Sequence, residues 1–292
     1  AMATFAAEIA REGQPRIDEA VTALAWSIYK PETARRYAEL AVEVTGIGHV
    51  ESKVIKNQRK TFGTLRDLLR AKSTGIIEEM PEKGLVKWAK PVGVVAAITP
   101  STNPQATPVN KAMMATEGGN ARIIAPPPAA WAATEPAVAG MRAELTRIGL
   151  PADLVQMLPN PVSREMTTRL MEMSDLVVAT GSQANVKAAY KSGKPALGVG
   201  LGNAPVIIDS SADLDQAADL IMQSKTFDNA TSCSSENAVV IVDDVYDAAI
   251  KALEKHGGYM ADKAERARIV DRFWVDGKLN RAVIAQGPER LV

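Results

Sequence analysis

The residue of this chain best suited to nucleophilic chemistry is Cys233, the only cysteine among 292 residues. It lies in the stretch TFDNATSCSSENAVVIV, residues 226–242, where polar side chains surround the thiol and a buried-strand pattern, residues 238–242, follows. A structural cysteine is normally surrounded by apolar residues, and an inert small residue is the alternative for any lone cysteine. A polar turn at the edge of a strand instead predicts a thiol placed to attack a substrate.

The overall composition excludes several classes of function. Lys and Arg together number 34 and equal Asp and Glu, so no net field attracts nucleic acid or an anionic membrane. One cysteine and two histidines, His49 and His256, cannot form a disulfide or an ordinary protein-only zinc site, so no metal centre is expected. Hydrophobic residues reach 46% with only 4% aromatic residues, which favours an α/β fold with helices packed on a parallel sheet.

The sequence shows no sign of membrane insertion or export. Its longest apolar run, residues 92–98, is far shorter than a membrane span. The first residues, AMATFAAEIAREG, lack the basic and apolar regions of a secretory signal. We therefore expect a soluble protein in the cytoplasm.

The chain begins with helices that no strand accompanies. One amphipathic stripe is formed by Ile17, Val21, Leu24 and Ile28. A second helix is predicted from Pro31 to Gly46, and a third, basic one over about residues 52–71. These helices must pack on elements that follow them.

From Gly84 onward, short apolar runs alternate with helical segments, which predicts βαβ units and a parallel sheet. The predicted strands are residues 84–90, 93–98, 121–125, 154–157, 176–179, 205–209 and 238–242. The predicted helices are residues 108–116, 128–147, 163–173, 182–191 and 213–225, the last with a capping-box start at Asp213 and Gln216. We place a domain boundary near Gly202, which divides the chain into residues 1–202 and 203–292.

Ligands of open α/β sheets bind beyond the carboxyl ends of the strands. The strand at residues 93–98 is followed by a polar loop, residues 99–104, that two prolines constrain. The strand at residues 176–179 is followed by Gly181 and Ser182, which open a helix. A glycine at a helix N-terminus forms an anion-binding site that suits the pyrophosphate of a dinucleotide. Such strand–glycine–helix junctions are, however, common in α/β proteins.

A third candidate is the glycine-rich segment GVGLGN, residues 198–203. It imitates a dinucleotide-binding fingerprint, but it precedes a strand instead of following one and opening a helix. Its glycines either let the backbone approach a flat ligand closely or simply form a tight loop connection.

Three segments resemble a known family. These are VGVVAAITPSTNPQATPVNKAMMA, VVATGSQANVKAAYKSGKPALGVGLGNAPVIID and SKTFDNATSCSSENAVVIVDDVYDA. In this order and spacing they are similar to the CoA-acylating branch of the aldehyde dehydrogenase superfamily, over about residues 57–253. Within that branch the resemblance is closest to the acylating sulfoacetaldehyde dehydrogenases. It implies an aldehyde-dehydrogenase-like fold: a parallel Rossmann-type sheet with flanking helices, residues 1–202, plus part of a second α/β catalytic domain.

The resemblance also implies roles for individual residues. Cys233 matches the family nucleophile, which forms a thioester with the aldehyde substrate after hydride transfer. Asn103 matches the asparagine whose amide, with the backbone N–H of Cys233, stabilises the oxyanion. The residues expected to contact NAD or NADP are Thr102, Ile124, Ala125, Pro126, Gly181, Ser182, Gly200 and Gly202.

Two departures from the hydrolytic relatives affect the predicted reaction. Those enzymes carry a glutamate in the segment matching residues 196–205, where this chain has no acid or base, so water is a poor acceptor of the acyl group and coenzyme A is the expected one. They also usually carry a lysine where this chain has Pro126-Pro-Pro128. The residues therefore leave NAD and NADP open, and the closest resemblance slightly favours NADP.

The resulting hypothesis is an enzyme that converts a small aldehyde, with sulfoacetaldehyde as a candidate, plus CoA and NAD(P)+ to acyl-CoA and NAD(P)H. The family usually forms homo-oligomers through a strand near residues 84–90. Its members continue beyond the position matching Val292, so we expect an incomplete catalytic domain. One alternative is a non-catalytic nucleotide-binding or assembly module of the same fold; another is a phosphorylating semialdehyde dehydrogenase, for which no cationic phosphate pair is evident beside the cysteine.

Overall fold

The computed structural model describes residues 1–290, which group into two compact units. The first unit contains Ala1–Gly46 and Lys53–Gly200. The second contains Ile47–Ser52 and the chain from Leu201 onward. The sequence placed all of residues 1–202 in one domain and did not predict that Ile47–Ser52 groups with the second unit.

The first unit is built on a sheet with helices on both faces. Its strands are β1 Gly75–Met80, β2 Leu85–Ala89, β3 Val94–Ile98, β4 Ala121–Ala125, β5 Val155–Met157, β6 Leu176–Thr180 and β7 Ala196–Val199. The helices up to its end are α1 Met2–Glu12, α2 Gln14–Tyr29, α3 Pro31–Thr45, α4 Val50–Ile55, α5 Thr61–Leu68, α6 Ala106–Glu117, α7 Trp131–Arg147, α8 Arg164–Met173 and α9 Gln183–Lys191. Residues 56–60 continue the helix from α4 to α5 with π-type hydrogen bonds.

Five strands form a fully parallel sheet in the order β5-β4-β3-β6-β7. The chain proceeds outward from β3 through β4 to β5 and then returns to place β6 on the other side of β3. The direction of winding therefore reverses between β3 and β6, and a ligand crevice is expected beyond their carboxyl ends.

The two faces of this sheet have separate hydrophobic cores. One core joins the amino-terminal helices to α6 and α7 through residues that include Leu24, Met113 and Met141. The other includes Leu170 of α8 and Ala189 of α9. The prediction that the first helices pack on later elements is confirmed, because α2 packs on both α6 and α7.

A separate antiparallel hairpin is formed by β1 and β2. The side chains of Leu85, Val86 and Trp88 on β2 are more than half exposed. The predicted strand at residues 84–90 is confirmed, whereas its role in oligomer formation stays a prediction.

The second unit has a smaller α/β arrangement. Its elements are β8 Ala204–Ile208, α10 Leu214–Thr226, β9 Glu236–Ile241, α11 Tyr246–Lys255, α12 Lys263–Phe273, β10 Trp274–Val275 and β11 Lys278–Leu279. Strands β8 and β9 are parallel, and α10 packs on α11. The side chain of Asp213 accepts a hydrogen bond from the backbone N–H of Gln216 at 3.0 Å, which confirms that α10 starts after Asp213. The reciprocal hydrogen bond to the Gln216 side chain, which would complete the predicted capping box, is not formed between these two described residues. Both parts of the predicted α/β fold class are therefore present.

Sequence reasoning missed α1, β1 and β7, as well as α11, α12, β10 and β11, which follow the last predicted strand. Strand β7 was interpreted as part of a glycine-rich loop, since it is short and contains Gly198. Its pairing with β6 determines its conformation, and that is a tertiary interaction with no local signal. Among residues 1–290, no helix has the length and apolar character needed to cross a membrane.

Arg122 is an unusual side chain in the core of the first unit. It lies on β4, is 1% exposed, and donates hydrogen bonds to Thr116 Oγ1 and, at 3.5 Å, to the carbonyl of Asn120. Its Nε and Nη2 are buried and have no partner among the described residues. Burial lowers the pKa of Arg122 to about 9, so this guanidinium is costly to bury.

We expect Arg122→Met to raise the free energy of unfolding by about 1–3 kcal/mol, because an apolar side chain removes the unpaired buried nitrogens. Thr116 Oγ1 keeps its own hydrogen bond to the carbonyl of Ala112 at 2.8 Å. Urea unfolding followed by circular dichroism measures the change. The exposed Arg169→Met is the control and should change stability by less than about 0.5 kcal/mol; a loss of stability in Arg122→Met would contradict the interpretation.

Candidate active site

Lys111 of α6 forms hydrogen bonds to β3 and β6, the two strands between which the direction of winding reverses. Its side chain is 6% exposed, and Nζ donates hydrogen bonds to the carbonyl of Ile98 on β3 at 2.7 Å and to that of Val178 on β6 at 2.6 Å. Burial lowers the pKa of Lys111 to about 7. One amine thus joins the last residue of β3 to the middle of β6, close to the loops that follow both strands.

The loop after β3 carries Thr102 and Asn103. Lys53 Nζ donates a hydrogen bond to the carbonyl of Thr102 at 2.9 Å, and the N–H of Thr107 donates to the carbonyl of Asn103 at 3.3 Å. The side-chain amide of Asn103 makes one long hydrogen bond, 3.4 Å from Nδ2 to Thr102 Oγ1. The backbone of this loop is therefore fixed, while the half-buried Asn103 amide keeps donor capacity for a ligand.

The loop after β6 carries Gly181 and Ser182. Gly181 has φ +146°, a conformation that essentially requires glycine, and its N–H donates a hydrogen bond to the carbonyl of Val199 at 3.2 Å. The hydroxyl of Ser182 accepts a hydrogen bond from the N–H of Asn185 at 3.3 Å and caps α9. A Cβ on Gly181 would lie 4.0 Å from Pro100, so the loops after β3 and β6 are neighbours.

A cleft of about 370 Å³ opens beyond the ends of β3 and β4. Ala125 and Pro126 line it and Ile124 does not, and the contact of all three with a cofactor stays a prediction. The side chain of Ile124 is fully buried in the core, and its carbonyl accepts a hydrogen bond from the N–H of Leu158 at 2.9 Å.

The structure explains the presence of glycine at positions 198, 200 and 202 in three different ways. A Cβ on Gly198 would lie 2.7 Å from Val186, so this glycine is needed where β7 packs on α9 and does not form a loop. A Cβ on Gly200 would lie 2.9 Å from the flexible side chain of Gln183. A Cβ on Gly202 would lie 2.2 Å from the carbonyl oxygen of Cys233, which only a glycine permits. Contact of Gly200 and Gly202 with a cofactor stays a prediction.

Cys233 lies in the second unit, in the turn before β9. The thiol is exposed, and the N–H of Ser235 donates a hydrogen bond to the carbonyl of Ser232 at 3.0 Å across the turn. The carbonyl of Gly202 accepts a hydrogen bond from Asn237 Nδ2 at 3.2 Å. Gly202 therefore packs directly on the cysteine turn.

Three successive residues before this turn have left-handed backbone conformations: Asp228, Asn229 and Ala230, with φ of 52°, 51° and 59°. Asp228 is 1% exposed, and its carboxylate accepts hydrogen bonds from the N–H of His49 at 2.7 Å and from Thr231 Oγ1 at 2.6 Å. Asp and Asn tolerate this conformation, but alanine does not tolerate it well. The hydrogen bonds of Asp228 thus stabilise a strained backbone conformation in the segment that leads to Cys233.

Two polar groups beside Cys233 were not predicted. Ser235 Oγ and Glu236 Oε2 are buried and have no hydrogen-bond partner among the described residues. A carboxylate at the edge of a strand is more often solvated, and Glu236 Oε2 departs from that pattern. Nothing local in the sequence signals the burial, because it arises from the pairing of β9 with β8.

The structure brings the predicted residues together in two groups. Thr102, Ala125, Pro126, Gly181 and Ser182 share one edge of the five-stranded sheet with Asn103. Cys233 and Gly202 are in contact in the second unit. Within residues 1–290, no cluster of three or more His, Cys, Asp or Glu side chains could hold a metal ion.

Comparison with known proteins gives a consistent result. The model of the aldehyde dehydrogenase family matches residues 31–260. A curated relative, the acylating sulfoacetaldehyde dehydrogenase of Cupriavidus necator, is 51% identical over 284 residues, which are 97% of this chain and 58% of the relative. The chain thus spans less than two thirds of the length of this relative.

Solved structures are similar as well. The propionaldehyde dehydrogenase of Rhodopseudomonas palustris with bound propionyl-CoA has a TM-score of 0.79 at 29% identity, with 94% of this chain and 62% of that chain covered. An engineered glycolyl-CoA reductase with bound NADP+ has a TM-score of 0.79 at 30% identity, with 94% and 63% covered.

The burial of Lys111 predicts a pH dependence of stability. The pKa of this lysine is about 7 in the folded chain, against the ordinary 10.5. Between those values the unfolded chain binds one more proton, so the free energy of unfolding should rise with pH by up to about 1.4 kcal/mol per pH unit. Below about pH 7 the amine is charged in both states, and this contribution to the slope vanishes.

Lys111→Met should lack this contribution, which urea unfolding between about pH 7 and pH 9 would detect as a smaller slope. The exposed Lys187→Met should keep the slope of the unmodified chain. Equal slopes in the unmodified chain and Lys111→Met would contradict a neutral buried amine.

The left-handed conformation of Ala230 predicts that Ala230→Gly stabilises the chain by about 0.5–1 kcal/mol. Relief of about 1–2 kcal/mol of backbone strain should outweigh the greater entropy of glycine in the unfolded chain. Thermal unfolding measures the shift. In the same unit, Ala267→Gly, at an exposed position of α12, should instead destabilise by about 1 kcal/mol; destabilisation of similar size at both positions would refute the strain at Ala230.

Proposed function

The chain belongs to the aldehyde dehydrogenase family, and from that premise we propose that it carries the dinucleotide-binding unit and the nucleophile of a CoA-acylating aldehyde dehydrogenase. The observation that carries this proposal is the exposed thiol of Cys233, held in a turn against Gly202. The 51% identity to an acylating sulfoacetaldehyde dehydrogenase supports the same reaction class.

The proposed chemistry begins at the sulfur of Cys233. Its thiolate forms a bond to the aldehyde carbon, and the carbonyl electron pair moves to oxygen to give a thiohemiacetal oxyanion. Collapse of the oxyanion releases hydride and leaves an acyl thioester on Cys233. The thiol of coenzyme A then attacks the thioester, and the Cys233 thiolate leaves as acyl-CoA forms. The aldehyde is oxidised by two electrons in this sequence.

Asn103 is proposed to donate its side-chain amide to the oxyanion, together with the backbone N–H of Cys233. The proposal rests on the family resemblance and on the free donor capacity of this amide, whose one hydrogen bond within the chain is long. Loss of a donor of this kind typically costs about 100- to 1000-fold in rate.

The cleft of the first unit fits a dinucleotide. It lies beyond the carboxyl ends of β3 and β4, next to the winding reversal between β3 and β6, where α/β sheets bind such ligands. Thr99 Oγ1 on its wall is buried without a partner. NAD(P)+, when bound, supplies the acceptor for the hydride. Pro126 and Ala125 would border the adenosine, and Gly181 and Ser182 the pyrophosphate.

Coenzyme A is the proposed acceptor because residues 196–205 contain no acid or base to activate water. Glu236 receives no such role, because the family resemblance assigns it none. The proposed substrate is a small aldehyde, with sulfoacetaldehyde first among the candidates because of the Cupriavidus relative.

A homo-oligomer is proposed through the β1–β2 hairpin. Leu85, Val86 and Trp88 give this hairpin an exposed apolar strand, and such edges pair readily with another chain.

The decisive experiment incubates the chain with sulfoacetaldehyde or acetaldehyde and NAD(P)+, with and without CoA, and follows NAD(P)H formation and the intact mass. We expect an acyl adduct on Cys233 without CoA, and sustained turnover with release of acyl-CoA when CoA is added. Cys233→Ala should abolish both signals, and Asn103→Ala should slow adduct formation by about 100- to 1000-fold.

Ser234→Ala, a neighbour of the thiol, is the matched control and should keep the adduct. Turnover that does not depend on CoA would contradict the acylating reaction, and turnover in Cys233→Ala would contradict the covalent one. Dinucleotide binding with an unreactive Cys233 would instead support a non-catalytic nucleotide-binding module.

A further inference from the structure

We propose that Arg164 binds a phosphate on the adenosine ribose of a dinucleotide in the cleft of the first unit, and thereby makes the cleft select NADP over NAD. The inference rests on the proposed function, because it assumes that this cleft holds the dinucleotide. It goes beyond that function because it names the residue that decides between NAD and NADP. The segment Pro126-Pro-Pro128 leaves that choice open.

Arg164 lines the cleft with an exposed guanidinium that pairs with no described residue. It is the first residue of α8, lines the cleft beside Ser163 and Thr168, and is exposed. No hydrogen bond or ion pair joins its side chain to any described residue. The contrast with Arg169 on the same helix is clear, because Arg169 lies 3.6 Å from the carboxylate of Glu172.

The chemistry of the cleft wall favours a phosphate over a hydroxyl on the ribose. An NAD site normally carries an Asp or Glu that accepts hydrogen bonds from the ribose hydroxyls and repels a phosphate, whereas an arginine nearby accommodates the 2′-phosphate of NADP. Among the described residues that line this cleft, none is Asp or Glu, and the wall after β4 consists of Pro126–Pro128. An arginine guanidinium can bind phosphate oxygens in a bidentate manner.

A second observation independently indicates a polar ligand in the same cleft. Thr99 follows β3, is 2% exposed, and its Oγ1 has no hydrogen-bond partner among the described residues. A buried hydroxyl without a partner is uncommon in native structures, and a polar ligand in this cleft would supply the missing partner. Thr99 and Arg164 line one cleft, so a sugar phosphate between them satisfies both.

The surrounding charges reinforce the selection. A groove that adjoins the cleft and shares Arg164 with it is lined by Lys187 and Lys191, with Glu172 as its one acidic lining residue. The resulting positive field favours an extra phosphate on the ligand. A ribose phosphomonoester also occurs as the 3′-phosphate of CoA, so the test must separate the two isomers.

The test titrates the full 292-residue chain with three adenosine nucleotides, by calorimetry at low salt. The probes are 5′-AMP, adenosine 2′,5′-bisphosphate and adenosine 3′,5′-bisphosphate. We expect the 2′,5′-bisphosphate to bind about tenfold or more tightly than AMP, and this preference to shrink as salt screens the exposed pair. NADP should likewise bind more tightly than NAD.

Arg164→Gln should remove the preference for the 2′,5′-bisphosphate and leave the affinity for AMP within about twofold of the unmodified chain, because AMP does not carry the phosphate that the guanidinium binds. Arg164→Lys should keep part of the preference, since a point charge remains without the bidentate geometry. Arg169→Gln, on the same helix outside the cleft, should keep all of it.

Each other outcome overturns the inference in a distinguishable way. Equal binding of AMP and the 2′,5′-bisphosphate, or a preference that survives Arg164→Gln, overturns it and leaves the proposed function in place. A preference for the 3′,5′-bisphosphate assigns Arg164 to the phosphate of CoA instead. If no nucleotide binds, both the inference and the dinucleotide role of the cleft fail, while labelling of Cys233 still tests the covalent reaction.

Discussion

The first unit depends on one buried amine, that of Lys111, which forms hydrogen bonds to two adjacent strands of the sheet. Lys111 donates one hydrogen bond to the last carbonyl of β3 and one to the carbonyl of Val178 in the middle of β6. The loop after β3 starts one residue beyond the first of these carbonyls, and the loop after β6 starts three residues beyond the second. The geometry of Asn103 and Gly181 is therefore set by a side chain that contacts neither of them.

The second unit uses a different constraint, which is local backbone strain held by tertiary hydrogen bonds. The left-handed run of Asp228 to Ala230 would not persist in an isolated peptide, since an alanine there is unfavourable. The buried carboxylate of Asp228 fixes it through the backbone of His49, a residue far away in the sequence. The cysteine turn thus begins from a conformation that the rest of its unit imposes.

Most of the architecture could be predicted from sequence, because buried parallel strands and amphipathic helices leave strong periodic signals. The strands around Val95 and Val177 and the cap at Asp213 are examples, and the position of Cys233 in a polar turn was visible as well. What could not be predicted depends on tertiary pairing. Gly198 lies in β7, although close approach to a ligand and a tight loop were the two interpretations of its segment, and the burial of Glu236 Oε2 had no local signal. The sequence also contained no signal for Arg164, because only its position on the cleft distinguishes it from other exposed arginines.

The exposed position of a lone cysteine has a practical consequence. A thiol-reactive dye can modify this chain at one position only, so the rate of labelling is a direct spectroscopic reporter of the turn between Gly202 and β9. The same isolation leaves an oxidised Cys233 without a resolving thiol in this chain. A sulfenic acid formed there could return to the thiol only through an external reductant, so the protein would have to be handled under reducing conditions for its nucleophile to persist.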